Sequence, residues 1–162
     1  MLVKLKYTNE DAPNYYRAAS KMKSSVPFKE HESDFCYDCV AVSCEEVAKN
    51  VYKYELGIAL QIDDEQLKFM DGDIILDIDA RPRSSVWKTG MSLCNCEGTI
   101  DKDYTGTISA YFYHIMTDMP KYEVGDKVCQ IKIGATVPID FVVVDDLAKT
   151  NRGEGGFGST GR

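Results

Sequence analysis

Residues 73–80 read Asp-Ile-Ile-Leu-Asp-Ile-Asp-Ala, and this alternation constrains the fold more than any other stretch. In an extended segment it puts Ile74, Leu76, Ile78 and Ala80 on one face and Asp73, Asp77 and Asp79 on the other. A helical period would scatter both sets around an axis. The start of the chain repeats the pattern, with Val3, Leu5 and Tyr7 set against Lys4 and Lys6. Residues 107–115 and 137–144 are rich in β-branched and aromatic side chains, and residues 127–133 suggest another short strand. Residues 9–25 are polar and suit a short helix or an ordered loop; no long amphipathic helix is legible elsewhere. The sequence therefore predicts an all-β domain of many short strands, as a sandwich, barrel or jelly roll.

The 162 residues, 44% of them hydrophobic, suit one domain with a real core. A formal net charge of -7 argues against non-specific nucleic-acid binding, which needs a broad basic surface. A small anionic substrate stays open, because a local arginine cluster can override the global sign. No apolar run reaches the roughly 20 residues of a membrane span, and no basic-then-apolar leader opens the chain. A soluble, intracellular protein is expected. Six cysteines occur. Cys36, Cys39, Cys94 and Cys96 could offer zinc thiolates, but buried reduced thiols are the default in an intracellular domain of this size.

Three stretches carry chemistry. Gly98-Thr-Ile-Asp-Lys-Asp-Tyr-Thr-Gly106 suits a tight hairpin loop, on which Asp101 could act as a general base and Tyr104 could offer a flat face to a sugar; the plainer reading is a solvated turn. Ala80-Arg-Pro-Arg-Ser-Ser85 supplies two arginines and two hydroxyls, fit either for phosphate or for an ordinary charged loop. The end, Arg152-Gly-Glu-Gly-Gly-Phe-Gly-Ser-Thr-Gly-Arg162, could wrap an anion with backbone amides, or be a disordered glycine-rich tail.

Together these stretches resemble the trimeric dUTP pyrophosphatase (dUTPase) family. In order they are Tyr37-Asp38, Pro82-Arg-Ser-Ser85, Asn95 with Gly98-Thr-Ile-Asp101 and Tyr104, Gly125-Asp-Lys-Val-Cys-Gln130, and residues 152–161. The likeness runs from about Val26 to the end. The first motif departs most: the family usually has Ala-Gly before its Tyr-Asp, whereas here the context is Phe35-Cys-Tyr-Asp-Cys39. Residues 10–25 have no place in the pattern and read as an insertion.

The resemblance implies a distorted jelly-roll or β-clip domain over residues 1–148 and a flexible tail over 149–162. It also implies a homotrimer with active sites shared between subunits. The reaction would hydrolyse dUTP to dUMP and pyrophosphate by water attack at the α-phosphorus, keeping dUTP low and supplying dUMP for thymidylate synthesis. Asp101 would orient and deprotonate the water. Asn95 and the hairpin backbone at Gly98 would read uracil, and Tyr104 would pack under the deoxyribose. Arg83, Ser84, Ser85 and Gln130 would bind the phosphate chain. Arg152 would reach the γ-phosphate, Phe157 would stack on uracil, and Gly158, Ser159 and Thr160 would add phosphate contacts. Asp38 would hold a water of the Mg²⁺ that chelates the triphosphate. No membrane or nucleic-acid partner is implied, and the location would be cytoplasmic, or the host cytoplasm or nucleus for a viral source.

Three rivals follow from the same residues. A dCTP deaminase shares the fold and an Arg-Ser-Ser element, but carries a glutamate on the strand after the hairpin, where this chain has Tyr111. A regulatory protein on the same scaffold would use residues 10–25 as a partner surface. A thiol enzyme would have to draw on His31 or His114, the only histidines.

Overall fold

From Ile75 on, the alternating segment forms a strand with Leu76, Ile78 and Ala80 buried; Asp73 and Ile74 lie outside the described residues. The computed structural model describes residues 2–62, 75–151 and 153. In chain order they form β1 (Val3–Tyr7), α1 (Ala12–Ala19), β2 (Tyr37–Val40), β3 (Ser43–Ala48), β4 (Val51–Glu55), β5 (Ile58–Ile62), β6 (Ile75–Pro82), a 3₁₀ turn (Ser84–Lys88), β7 (Met91–Leu93), β8 (Gly98–Ile100), β9 (Ser109–His114) and β10 (Lys127–Thr136). The described strands pair antiparallel in three open sheets: β1-β5, β2-β10-β6-β8 and β3-β4-β9-β7. This is the expected all-β, jelly-roll-like class.

Register follows from the apolar rows. Ile78 lies opposite Ile133 and Ala80 opposite Ile131 on one side of β6-β10, while Asp79 faces Lys132 and Arg81 faces Gln130 on the other. A slip of one residue would put the aspartates in the core. In the core, Tyr54, Phe112 and Tyr122 meet edge to face, with centroids 5.4–6.2 Å apart. The buried Tyr54 hydroxyl donates to the Tyr122 carbonyl at 2.8 Å, so its burial leaves no orphaned donor.

Residues 9–25 resolve their ambiguity as helix α1. Pro13 sits in its first turn, where a missing N–H costs nothing. Two residues dock it: Ala12 and Tyr16 are buried, and the Tyr16 hydroxyl donates to the Leu56 carbonyl at 3.2 Å. Ala12 can approach because Gly57 has no side chain. Gly57 has φ +65, and a Cβ there would stand 2.8 Å from Ala12 Cβ and 2.9 Å from Val42 Cγ2. Gly57→Ala is therefore expected to cost about 2–4 kcal/mol, from left-handed backbone strain plus overpacking. Chemical denaturation measures this; an unchanged midpoint would contradict the docking.

Two expectations need correction. Residues 137–144 form no ladder: β10 ends at Thr136, and the chain continues without regular structure. Strand propensity needs a partner, and these residues have no pairing strand among those described. Phe141 is 89% and Val143 97% exposed. The cysteines also divide. Cys39 and Cys129 are fully buried and opposite one another across β2-β10, whereas Cys96 is exposed. The Cys129 thiol and burial push the Cys39 thiol well above its usual range, which makes it inert. No helix among the described residues is long and apolar enough to cross a membrane.

Candidate active site

Strand order delivers the charged residues. In β10, Gln130 lies opposite Asp38 of β2 on one side and Arg81 of β6 on the other. Pro82 ends β6, and Arg83 leaves it in an extended conformation that starts the 3₁₀ turn. This brings Arg83 onto Asp38. Its Nε donates to Oδ1 at 2.8 Å and its Nη2 to Oδ2 at 3.2 Å, a forked pair. Its Nη1 lies 3.2 Å from Ser85 Oγ, and Gln130 Nε2 donates to the Pro82 carbonyl at 3.2 Å.

Behind Asp38 stands a second ion pair. Lys127 Nζ is 2.5 Å from Glu30 Oε1 and 3.5 Å from Asp38 Oδ2. The Lys127 hydrogen bond holds the Glu30 carboxyl below its usual range. The other oxygen, Glu30 Oε2, is buried without a hydrogen-bond partner. Glu30, Asp38, Arg83, Ser84, Lys127 and Gln130 face a cavity of about 610 Å³, which Lys21, His31 and Asp34 also line. Forked cation, ammonium, hydroxyl and amide together suit a phosphate chain. Sequence reasoning missed Glu30 and Lys127. Lys127 stands within the Gly125–Gln130 motif, but nothing in the sequence pairs it with a residue 97 positions away.

The Gly98–Gly106 loop is built separately, and it corrects the expected hairpin: β8 pairs with β6, whereas β9 pairs with β4 and β7, so the loop crosses from one sheet to the other. β8 is zipped to β6 through Ile100 opposite Ile78 and Gly98 opposite Ala80. Gly98 leaves room for Asn95, since a Cβ would come within 2.8 Å of the Asn95 Nδ2. Cys96 turns the chain with φ 55. Across the loop the Tyr104 amide donates to the Asp101 carbonyl at 2.9 Å, and the Tyr104 hydroxyl to the Thr107 carbonyl at 2.8 Å. The Tyr104 ring folds back over Gly106, where a Cβ would lie 2.6 Å from the hydroxyl. Asp101 is exposed and, with Tyr104 and Tyr111, borders a cavity of about 430 Å³. An exposed carboxylate on a pinned loop, beside an aromatic face, can take a proton from water next to a bound ring.

Asp38, Arg83, Ser84 and Gln130 thus share one cavity, with Ser85 against Arg83, and Asp101 and Tyr104 share another. The two cavities have no lining residue in common. Arg152, Phe157, Gly158, Ser159 and Thr160 lie outside the described residues. His114 is structural: its Nε2 lies 3.0 Å from the Met119 carbonyl oxygen.

Comparison with known proteins supplies the context. The dUTPase family model matches residues 75–161. The deoxyuridine 5'-triphosphate nucleotidohydrolase of Clostridium novyi is 33% identical over 143 residues, covering 86% of this chain and 92% of that protein. The corresponding protein of Dinoroseobacter shibae is 44% identical over 87 residues, an alignment spanning 53% of this chain and 56% of the relative. Among solved structures, the dUTPase of Staphylococcus bacteriophage 80alpha with dUPNHPP superposes with a TM-score of 0.70. It is 18% identical and the match covers 99% of each chain, a likeness of fold.

Proposed function

This chain belongs to the dUTPase family and hydrolyses dUTP to dUMP; from that premise we propose that one water attacks the α-phosphorus and pyrophosphate leaves. The observation that carries this mechanism is Asp101, an exposed carboxylate on a loop pinned at both ends, beside the flat face of Tyr104. Asp101 orients the water and takes its proton as the new P–O bond forms. Asn95 and the backbone at Gly98 read the uracil edge, and Tyr104 packs under the deoxyribose. Arg83, Ser84, Ser85 and Gln130 hold the phosphate chain. Arg152, Phe157, Gly158, Ser159 and Thr160 close over the nucleotide and exclude bulk water.

The phosphate cavity fits Mg²⁺. It presents three carboxylates, Glu30, Asp34 and Asp38, and Glu30 Oε2 is a buried oxygen without a hydrogen-bond partner. Hard oxygen donors acting through water are what Mg²⁺ prefers. Asp38 would hold a water of the ion, and the ion would supply charge neutralisation of the triphosphate.

Two observations support a homotrimer with shared sites. The hairpin cavity and the phosphate cavity are separate within one chain, so a neighbouring copy can complete each. Residues 137–147 also carry Val137, Ile139, Phe141, Val142 and Val143 exposed, an apolar arm that a neighbouring copy would cover. We place the activity in the cytoplasm, where dUTP would be drawn down and dUMP delivered for thymidylate synthesis. Deamination is disfavoured because β9 carries Tyr111 where a deaminase would carry a glutamate, and none of its six residues is an acid. The test is hydrolysis in H₂¹⁸O: label is expected in dUMP, and label confined to pyrophosphate would contradict attack at the α-phosphorus.

A further inference from the structure

We propose that Glu30 and Lys127 form a charged brace that acts through Asp38 to fix the Arg83 fork for the phosphate chain, a service independent of Mg²⁺. The proposal rests on the dUTPase reading and adds two residues to it. It also gives Asp38 a second role beside that of holding a metal-bound water.

The charges alternate along the brace: Glu30, Lys127, Asp38, Arg83. The contacts are Lys127 to Glu30 at 2.5 Å, Lys127 to Asp38 at 3.5 Å, and Arg83 to Asp38 at 2.8 and 3.2 Å. The Glu30, Asp38 and Lys127 side chains are only 12%, 13% and 20% exposed, so salt and water screen the chain weakly. Backbone geometry holds it in place. Phe28 and Asp38 exchange hydrogen bonds of 2.7 and 3.3 Å, and Glu30 follows two residues later beside Asp38. The Lys127 ammonium lies 4.8 Å from the Phe28 ring centroid, which fixes the base of the brace. The amide and charge of Lys21, from the segment after α1, face Glu30 as well.

The donor count explains the purpose. A guanidinium has five N–H donors. Asp38 takes one from Nε and one from Nη2, and Ser85 takes one from Nη1. One donor remains on each terminal nitrogen, on a fork already held in place before phosphate arrives. A bare Asp38–Arg83 pair would do this less well. Without Lys127, Asp38 would lose the second of its two cations and Glu30 would keep only Lys21, so the carboxylate that grips Arg83 would no longer be braced from its other side.

The test is titration of the non-hydrolysable α,β-imido-dUTP into the wild-type protein, Lys127→Met, Lys127→Arg and Glu30→Gln, each with Mg²⁺ and with EDTA. Lys127→Met is expected to weaken binding about tenfold or more in both conditions, the size of a lost charge-assisted hydrogen bond. Lys127→Arg is expected to recover most of that loss, and Glu30→Gln to weaken binding in both conditions. Thermal melting separates a folding defect from a binding defect; if Lys127→Met does not fold, Glu30→Gln decides. Unchanged affinity in the folded variants would overturn the brace, and so would a loss seen only with Mg²⁺, which would assign these residues to the metal alone. A wild-type protein that fails to bind the analogue would overturn the dUTPase reading itself.

Discussion

Asp101→Asn is expected to lower dUTP turnover by roughly 10²–10⁴-fold, the range for a positioned general base, while nucleotide affinity stays near the parent value. The asparagine keeps the shape and one acceptor oxygen but cannot take a proton from water. Asp101 is exposed and its backbone carbonyl, not its carboxylate, holds Tyr104, so the substitution leaves the hairpin closed. The loss should fall on kcat, with KM little changed, as for an interaction made only in the transition state. A variant with near-parental kcat would remove Asp101 from the chemistry. A large rise in KM with kcat preserved would make it a binding residue instead.

Arg83→Ala is expected to reduce kcat/KM by on the order of 10²-fold or more, because charge-assisted contacts to phosphate are each worth about 1.5–3 kcal/mol. A second effect adds to it. Asp38 is 13% exposed, and it would keep only Lys127, 3.5 Å away, as a partner. Stability should therefore fall together with affinity. Arg83→Lys should keep part of the stability and little of the binding, because an ammonium restores charge but not the fork. Kinetics and melting of the two variants check this. Equal kcat/KM in Arg83→Lys and the parent would show that charge alone suffices there.

The sequence made the fold class legible because alternation in residues 73–80 has no helical reading, and β6 bears it out. It located the glycines of the loop, since Gly98 and Gly106 both stand where a Cβ would collide with Asn95 or Tyr104, but it misjudged the pairing, because β8 joins β6 and β9 joins β4 and β7. It misjudged residues 137–144, because composition reports strand propensity and cannot say whether a partner strand is within reach. α1 was ambiguous for a related reason: eight residues, little more than two turns, are too few for an apolar face to repeat, and docking through Ala12 and Tyr16 holds them. Glu30 and Lys127 were invisible because their pairing joins distant parts of the chain. Motif spacing found Asp38 and Arg83 as separate elements. Only the alignment of β2, β10 and β6 reveals that the carboxylate grips the guanidinium.

The most direct measurement is pyrophosphate release with Mg²⁺ from dUTP, dCTP, dTTP and UTP side by side. The account predicts release from dUTP, with the other three at background. On the proposed roles, cytosine would leave the polar groups of Asn95 and the Gly98 backbone mispaired, thymine would add a methyl group, and the 2′-hydroxyl of UTP would meet Tyr104. No release from dUTP, or equal release from all four, would contradict it.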